Sequence, residues 1–138
     1  MAVDELKSAV SALLSSDPIF TLDVGGTPLR VVRFNGREAI SSPFEFWVEV
    51  AGDDLDPESL LGQSALLTIE GADTPRLVHG IVYEAERVGH TREFELYELK
   101  LGPWAHLLLH RADCRIFQDK TTEQIVSEVL TRDGLQKD

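Results

Sequence analysis

Sulfur, basic charge and long apolar runs are all scarce in this chain of 138 residues, and each scarcity closes off a class of function. Cys114 is its one cysteine. A lone thiol forms no internal disulfide and supplies no thiolate set for a structural zinc site, which suits a reducing compartment. Lys and Arg total 13 against 24 Asp and Glu, a formal charge of −11. A polyanion repels phosphate backbones, so nucleic-acid binding is not expected. The basic groups Arg30/Arg33/Arg37 and Arg111/Arg115 are too sparse to form a patch. No apolar run approaches the ~20 residues of a membrane-spanning helix. The opening MAVDELKSAVSALLSS lacks the basic start and apolar centre of a secretory signal. The expectation is a soluble chain made in the cytoplasm, with no membrane anchor, whose export would use a route that reads no N-terminal signal.

What is present points to one globular domain with a real core. Hydrophobic residues make up 43% and charged residues 27%, and a chain of this size buries roughly two-thirds of its unfolded surface. Val3, Leu6, Val10 and Leu13/Leu14 recur at helical steps, which predicts a helix over 3–15 that Pro18 ends. The period then falls to two. Phe20, Leu22 and Val24 alternate up to the Gly25-Gly26 turn. Leu29/Val31 and Val32/Phe34 keep that period with a change of phase, which predicts a bulge. Asn35-Gly36 reads as a turn. In Pro43–Val50, Phe44, Phe46, Val48 and Val50 share one face, with Glu45, Trp47 and Glu49 on the other. A helical turn is expected at Pro57–Leu61, and strands at Ala65–Ile69 and Leu77–Arg87. In the second of these, His79, Ile81, Tyr83 and Ala85 are placed on one side, and Gly80 marks a bend or a close backbone approach. Glu93–Leu101 is a further strand with a phase change near Leu96-Tyr97. Pro103–Leu109 fits a short helix as well as a strand, and Arg115–Phe117 reads as a brief extended piece. Thr121 and Gln124 form a capping box for a last helix over 121–131, with Gly134 as its C-terminal cap. Six or seven short strands between two helices suit a small barrel.

Catalytic constellations are missing. His106 and His110 share an i, i+4 spacing, yet Leu107-Leu108-Leu109 lies between them and no third metal ligand is near. Cys114 beside Arg115 is expected to be buried and inert. Carboxylates such as Asp53-Asp54, Glu84/Glu86 and Glu93/Glu95/Glu98 are numerous enough for pairs to arise by chance. No phosphate-cradling glycine loop and no nucleophile elbow occur. The expectation is a chain that is not an enzyme and binds no cofactor or metal.

Three blocks in order carry a resemblance. They are Leu29–Phe46 (LRVVRFNGREAISSPFEF), Leu60-Leu61-Gly62 with Arg76–Val82 (RLVHGIV), and Leu99–Leu130, which contains PWAHLLLHRADCRIFQDKTTEQIVSEVL. Together they resemble the N-terminal, phage-baseplate-hub-like region of VgrG, the spike protein of bacterial type VI secretion systems. The resemblance implies a mainly β, α+β fold: a small β-barrel of the phage tail hub type with a helix at each end. It implies that residues 1–138 are the first hub barrel of a longer spike, with a helix at 1–17, the barrel at 18–118 and a helix at 119–135. It also implies a homotrimer that caps the Hcp tube among baseplate components and effectors, and that is secreted or injected into a target cell. Trp47, Trp104, Leu107, Leu108 and Leu109 are the candidates for interface contacts, or else they fill the domain's own core. The alternatives are a contractile phage tail hub and, from a different class, a hydrolase or carbohydrate-binding barrel that uses the acidic clusters.

Overall fold

The computed structural model describes residues 19–70, 74–110, 112 and 114–132. It divides into two compact units at the Pro103–Trp104 junction, and each is described by itself. The helix expected over 3–15 and the Gly134 cap lie outside the described residues.

The first unit is a closed antiparallel barrel of six strands: β1 Phe20–Val24, β2 Thr27–Ala39, β3 Ser42–Gly52, β4 Ser64–Ile69, β5 Arg76–His90 and β6 Glu95–Gly102. Around the barrel the order is β1-β2-β3-β6-β5-β4, and β1 closes the ring by pairing with both β2 and β4. Closure leaves no unpaired sheet edge, the usual liability of a small β domain. Side chains alternate in and out, and the interior is filled by Leu22, Val24, Val31, Phe46, Val48, Val50, Leu67, Val82, Leu99 and Leu101. Phe46 contacts Phe44 edge-on and lies tilted against Phe34, at centroid distances of 5.9 and 6.2 Å.

The turn between β1 and β2 is Gly25-Gly26, with φ of 60° and 86°. Both central residues are left-handed, as the two-residue hairpin requires, and Gly26 N–H donates to Asp23 Oδ1 at 2.9 Å. The predicted bulge lies where the phase changes, because the β2–β3 register shifts between Val31 and Arg33. A second shift, between Arg87 and Gly89 of β5, lies opposite Leu96 and Tyr97; both are buried, Tyr97 in the main core and Leu96 in a separate cluster with Val32 and Ala51.

Two turn and face assignments differ from the sequence reading. Asn35-Gly36 does not turn the chain. It lies inside β2, where Asn35 pairs with Trp47 and Gly36 with Phe46. The turn comes later, at Ile40-Ser41, with Ser41 at φ 62°. Gly36 has a packing role instead, since a Cβ there would overlap the Phe46 ring. In β5 the face assignment fails at Ala85, because a register shift between Val82 and Glu84, with Tyr83 as the extra residue, resets the alternation. Val78, Val82 and Ala85 belong to the core, and His79 is exposed.

Between β3 and β4 runs α1, Pro57–Leu60, whose first turn is capped by Asp56 accepting from Glu58 N–H. Leu60 and Leu55 fall into the core cluster, so this connection plugs one barrel end. Gly62 N–H donates to the Val82 carbonyl at 2.8 Å, which ties the connection to β5.

The second unit begins with a 3₁₀ helix, Trp104–His110, which resolves the ambiguity of that segment. Residues 114–118 form no strand, contrary to the extended piece expected at Arg115–Phe117. The chain then enters α2, Thr122–Arg132. The capping box forms in both directions: Gln124 N–H donates to Thr121 Oγ1 at 3.3 Å, and Thr121 N–H donates to Gln124 Oε1 at 2.9 Å.

Candidate functional site

The outward face of β2, β3, β6 and β5 collects the chemistry that the barrel interior excludes. Alternation on β3 sends Phe46, Val48 and Val50 inward, so Glu45, Trp47 and Glu49 must point outward. Register then sets two rows across the strands. One row runs Asn35, Trp47, Lys100, Glu84; the next runs Arg33, Glu49, Glu98, Glu86. Lys100 Nζ meets Glu84 Oε1 at 2.6 Å, and that carboxylate holds the ammonium above its ordinary pKa. Beside this row, the Tyr83 phenol is pushed up by burial first and by Glu45 second.

The second row is unbalanced, with three carboxylates to one guanidinium. Arg33 serves Glu49, donating from Nε at 3.0 Å and Nη2 at 2.8 Å, both to Oε2. Glu49 is only 6% exposed, and its Oε1 is buried with no hydrogen-bond partner. Glu98 lies directly opposite Glu49 on β6, a like-charge pairing that disfavours the sheet. Arg33, Phe34, Asn35, Trp47, Glu49 and Glu98 line a groove of about 420 Å³. Below it, Val32, Ala51 and Leu96 form a separate apolar cluster with Phe94.

Trp47 is half-buried at the groove wall. Trp104, Leu107 and Leu108 are half-buried in the second unit, and Leu109 is 67% exposed. The most exposed large apolar residues among those described were not assigned a face by the sequence reading: Ile40 at the β2–β3 turn, 97% exposed, and Ile116, 89% exposed. A turn residue and a residue of irregular backbone carry no periodicity by which a sequence could assign them a face.

The sequence candidates for chemistry separate. His106 and His110 have ring centroids 6.2 Å apart and tilted, and no group of three or more metal-ligating side chains occurs among the described residues. Cys114 is exposed rather than buried; without a strand at 115–117 there is no sheet to cover it. No described helix is long and apolar enough to cross a membrane. In α2 the Glu128 carboxylate bonds Lys120, which holds its pKa below the ordinary value.

Comparison with known proteins agrees with this architecture. Residues 37–138 match the phage tail baseplate hub (GPD) family. Among curated relatives, the type VI secretion system spike protein VgrG1b of Pseudomonas aeruginosa is 35% identical over 110 residues, covering 78% of this chain and 15% of that protein. VgrG4b of the same organism is 36% identical over 125 residues, 86% of this chain and 15% of that protein. The chain thus spans about 15% of the length of these spike proteins. Among solved structures, the E. coli c3393 protein superposes with a TM-score of 0.74 at 28% identity, over 84% of this chain and 33% of that one. It is described as a type VI secretion component with structural similarity to the T4 bacteriophage tail proteins gp27 and gp5. A tail protein from Neisseria meningitidis MC58 shares the fold, with a TM-score of 0.61 at 17% identity, over 83% of this chain and 34% of that one. A closed six-strand barrel, the hub match over 37–138 and the likeness to VgrG spike proteins lead to one assignment: the chain belongs to the phage tail baseplate hub family.

Proposed function

We propose that this chain serves as the first hub barrel of a type VI secretion spike, three copies of which assemble and seat on the Hcp tube. Its part is mechanical: it joins protomers, adapts the spike to the tube and travels with effectors when the system fires, without catalysing a reaction. Assembly takes place in the cytoplasm, and the spike then leaves the cell or enters its target. The observation that carries the reading is the closed barrel together with the match of 78% of this chain to a type VI secretion spike protein. The exposed Leu109, with Leu107, Leu108 and Trp104 beside it, is the proposed protomer contact. Clustered apolar surface of this kind on a soluble domain usually marks an interface. A contractile phage tail hub is the neighbouring reading, since the matched family takes its name from that assembly.

The test is the copy number of the protein at its natural length, read by native mass spectrometry, for wild type and Leu109→Asp. Three copies that dissociate in the variant support the proposal. A monomeric wild type, or one that fails to co-sediment with Hcp tubes, removes it.

A further inference from the structure

The groove on the β2–β3–β6 face holds an unmet hydrogen-bond demand. Both nitrogens of the Arg33 fork converge on Oε2 of Glu49, so Oε1 is left buried without a donor. An ionised carboxylate has several acceptor sites and bonds a guanidinium end-on through both oxygens when geometry allows. Here one oxygen is satisfied and the other waits. Glu98 opposite Glu49, with Glu86 next to it, adds negative charge that Arg33 does not balance. Trp47 is the aromatic residue that lines the groove from the outward face of β3.

We propose that this groove receives the guanidinium of an arginine presented by a basic partner protein, the guanidinium lying on Trp47 and donating to the Glu49 carboxylate. Guanidinium fits better than ammonium because it is planar, weakly hydrated, stacks on aromatic rings and donates along two edges. The partner is a different, basic protein, because a row of three carboxylates to one guanidinium calls for a cationic occupant and this chain carries only 13 basic residues against 24 acidic ones. A metal ion is the poorer match, since no cluster of three ligating side chains occurs among the described residues. The groove's occupancy is separate from trimer formation, so its failure would leave the hub reading standing.

N-acetyl-arginine amide is the probe, titrated at low ionic strength into the 138-residue chain carrying ¹⁵N-labelled tryptophan. The Trp47 indole signal, assigned with Trp47→Phe, is expected to shift saturably while that of Trp104 stays in place. N-acetyl-lysine amide should need about threefold more ligand for the same shift, and Glu49→Gln should weaken arginine binding about tenfold. If Glu49→Gln proves unfolded, Trp47→Leu replaces it, followed through the backbone amides of Glu49 and Glu98, and should weaken binding likewise. An unmoved Trp47 signal, equal response to the lysine probe, or full binding by either folded variant overturns the proposal.

Discussion

Placing a methyl group on Gly80 tests whether the barrel is packed as described. A Cβ there would sit 2.5 Å from the Gly102 carbonyl oxygen and 3.3 Å from Cζ of Phe44. The first obstacle is main chain of β6, held in register with β5 at Ile81↔Gly102 and Val82↔Leu101, and it cannot rotate away. Overpacking of this kind costs up to about 3 kcal/mol. Removing a glycine from a strand returns about 0.5–1 kcal/mol of backbone entropy. The net for Gly80→Ala is a loss of roughly 2 kcal/mol, or a melting temperature roughly 10–15 °C lower for a barrel of this size. Gly89→Ala on the same strand is the control. Its nearest neighbour would be Leu96 Cδ1 at 3.9 Å, ordinary contact, so it should be neutral or gain about 0.5 kcal/mol. Gly36→Ala separates the two kinds of obstacle, because there the nearest atoms all belong to the Phe46 ring. In a Phe46→Leu background its cost should shrink by about 1 kcal/mol, a rescue for which Gly80→Ala has no counterpart. Urea and thermal unfolding followed by far-ultraviolet circular dichroism measure all of these. If Gly80→Ala unfolds with the same midpoint as Gly89→Ala, the close approach of β5 to Gly102 is not a feature of the folded protein.

Three further outcomes follow from the same structure. Arg33→Met strands the Glu49 carboxylate and should cost about 2 kcal/mol, less than a fully buried pair because the Arg33 side chain is 57% exposed; Arg33→Met/Glu49→Met should recover most of it in urea unfolding. Thr121→Ala removes one arm of the capping box and should lower the local stability of α2 by about 1 kcal/mol, read as faster amide exchange over 122–132 with barrel exchange unchanged. The Tyr97 hydroxyl donates to Glu95, which raises its pKa above the ordinary 10.0. A raised folded value means the contribution is complete below pH 10.0 and is lost as pH rises through that folded value. Tyrosinate absorbance should therefore appear later than in the unfolded chain, and Glu95→Gln should bring part of it forward.

How much of this was written in the sequence depends on whether a feature is local. The bulge at Val31–Arg33, the Gly25-Gly26 turn and the Thr121–Gln124 capping box each show as a phase change or a residue pair within four positions, and each formed. Gly80 likewise declared a close approach. Asn35-Gly36 misled because the sequence shows that glycine permits a turn, but not that the Phe46 ring, ten positions on, requires the space. The pairings of β3 with β6 and of β1 with β4, which together close the barrel, were illegible, since alternation assigns faces and never partners. The groove was hidden for the same reason. Trp47 and Glu49 stand out on β3, yet their meeting with Arg33 and Glu98 depends on register across three strands. Cys114 was misplaced because its burial was inferred from a strand that does not form.

The central claim is that this barrel is an assembly part, and copy number tests it most directly. Sedimentation equilibrium of the protein at its natural length, with and without Hcp tubes, should give three copies per spike and one spike per tube end. A single copy at every concentration, with no association with Hcp, would contradict the account.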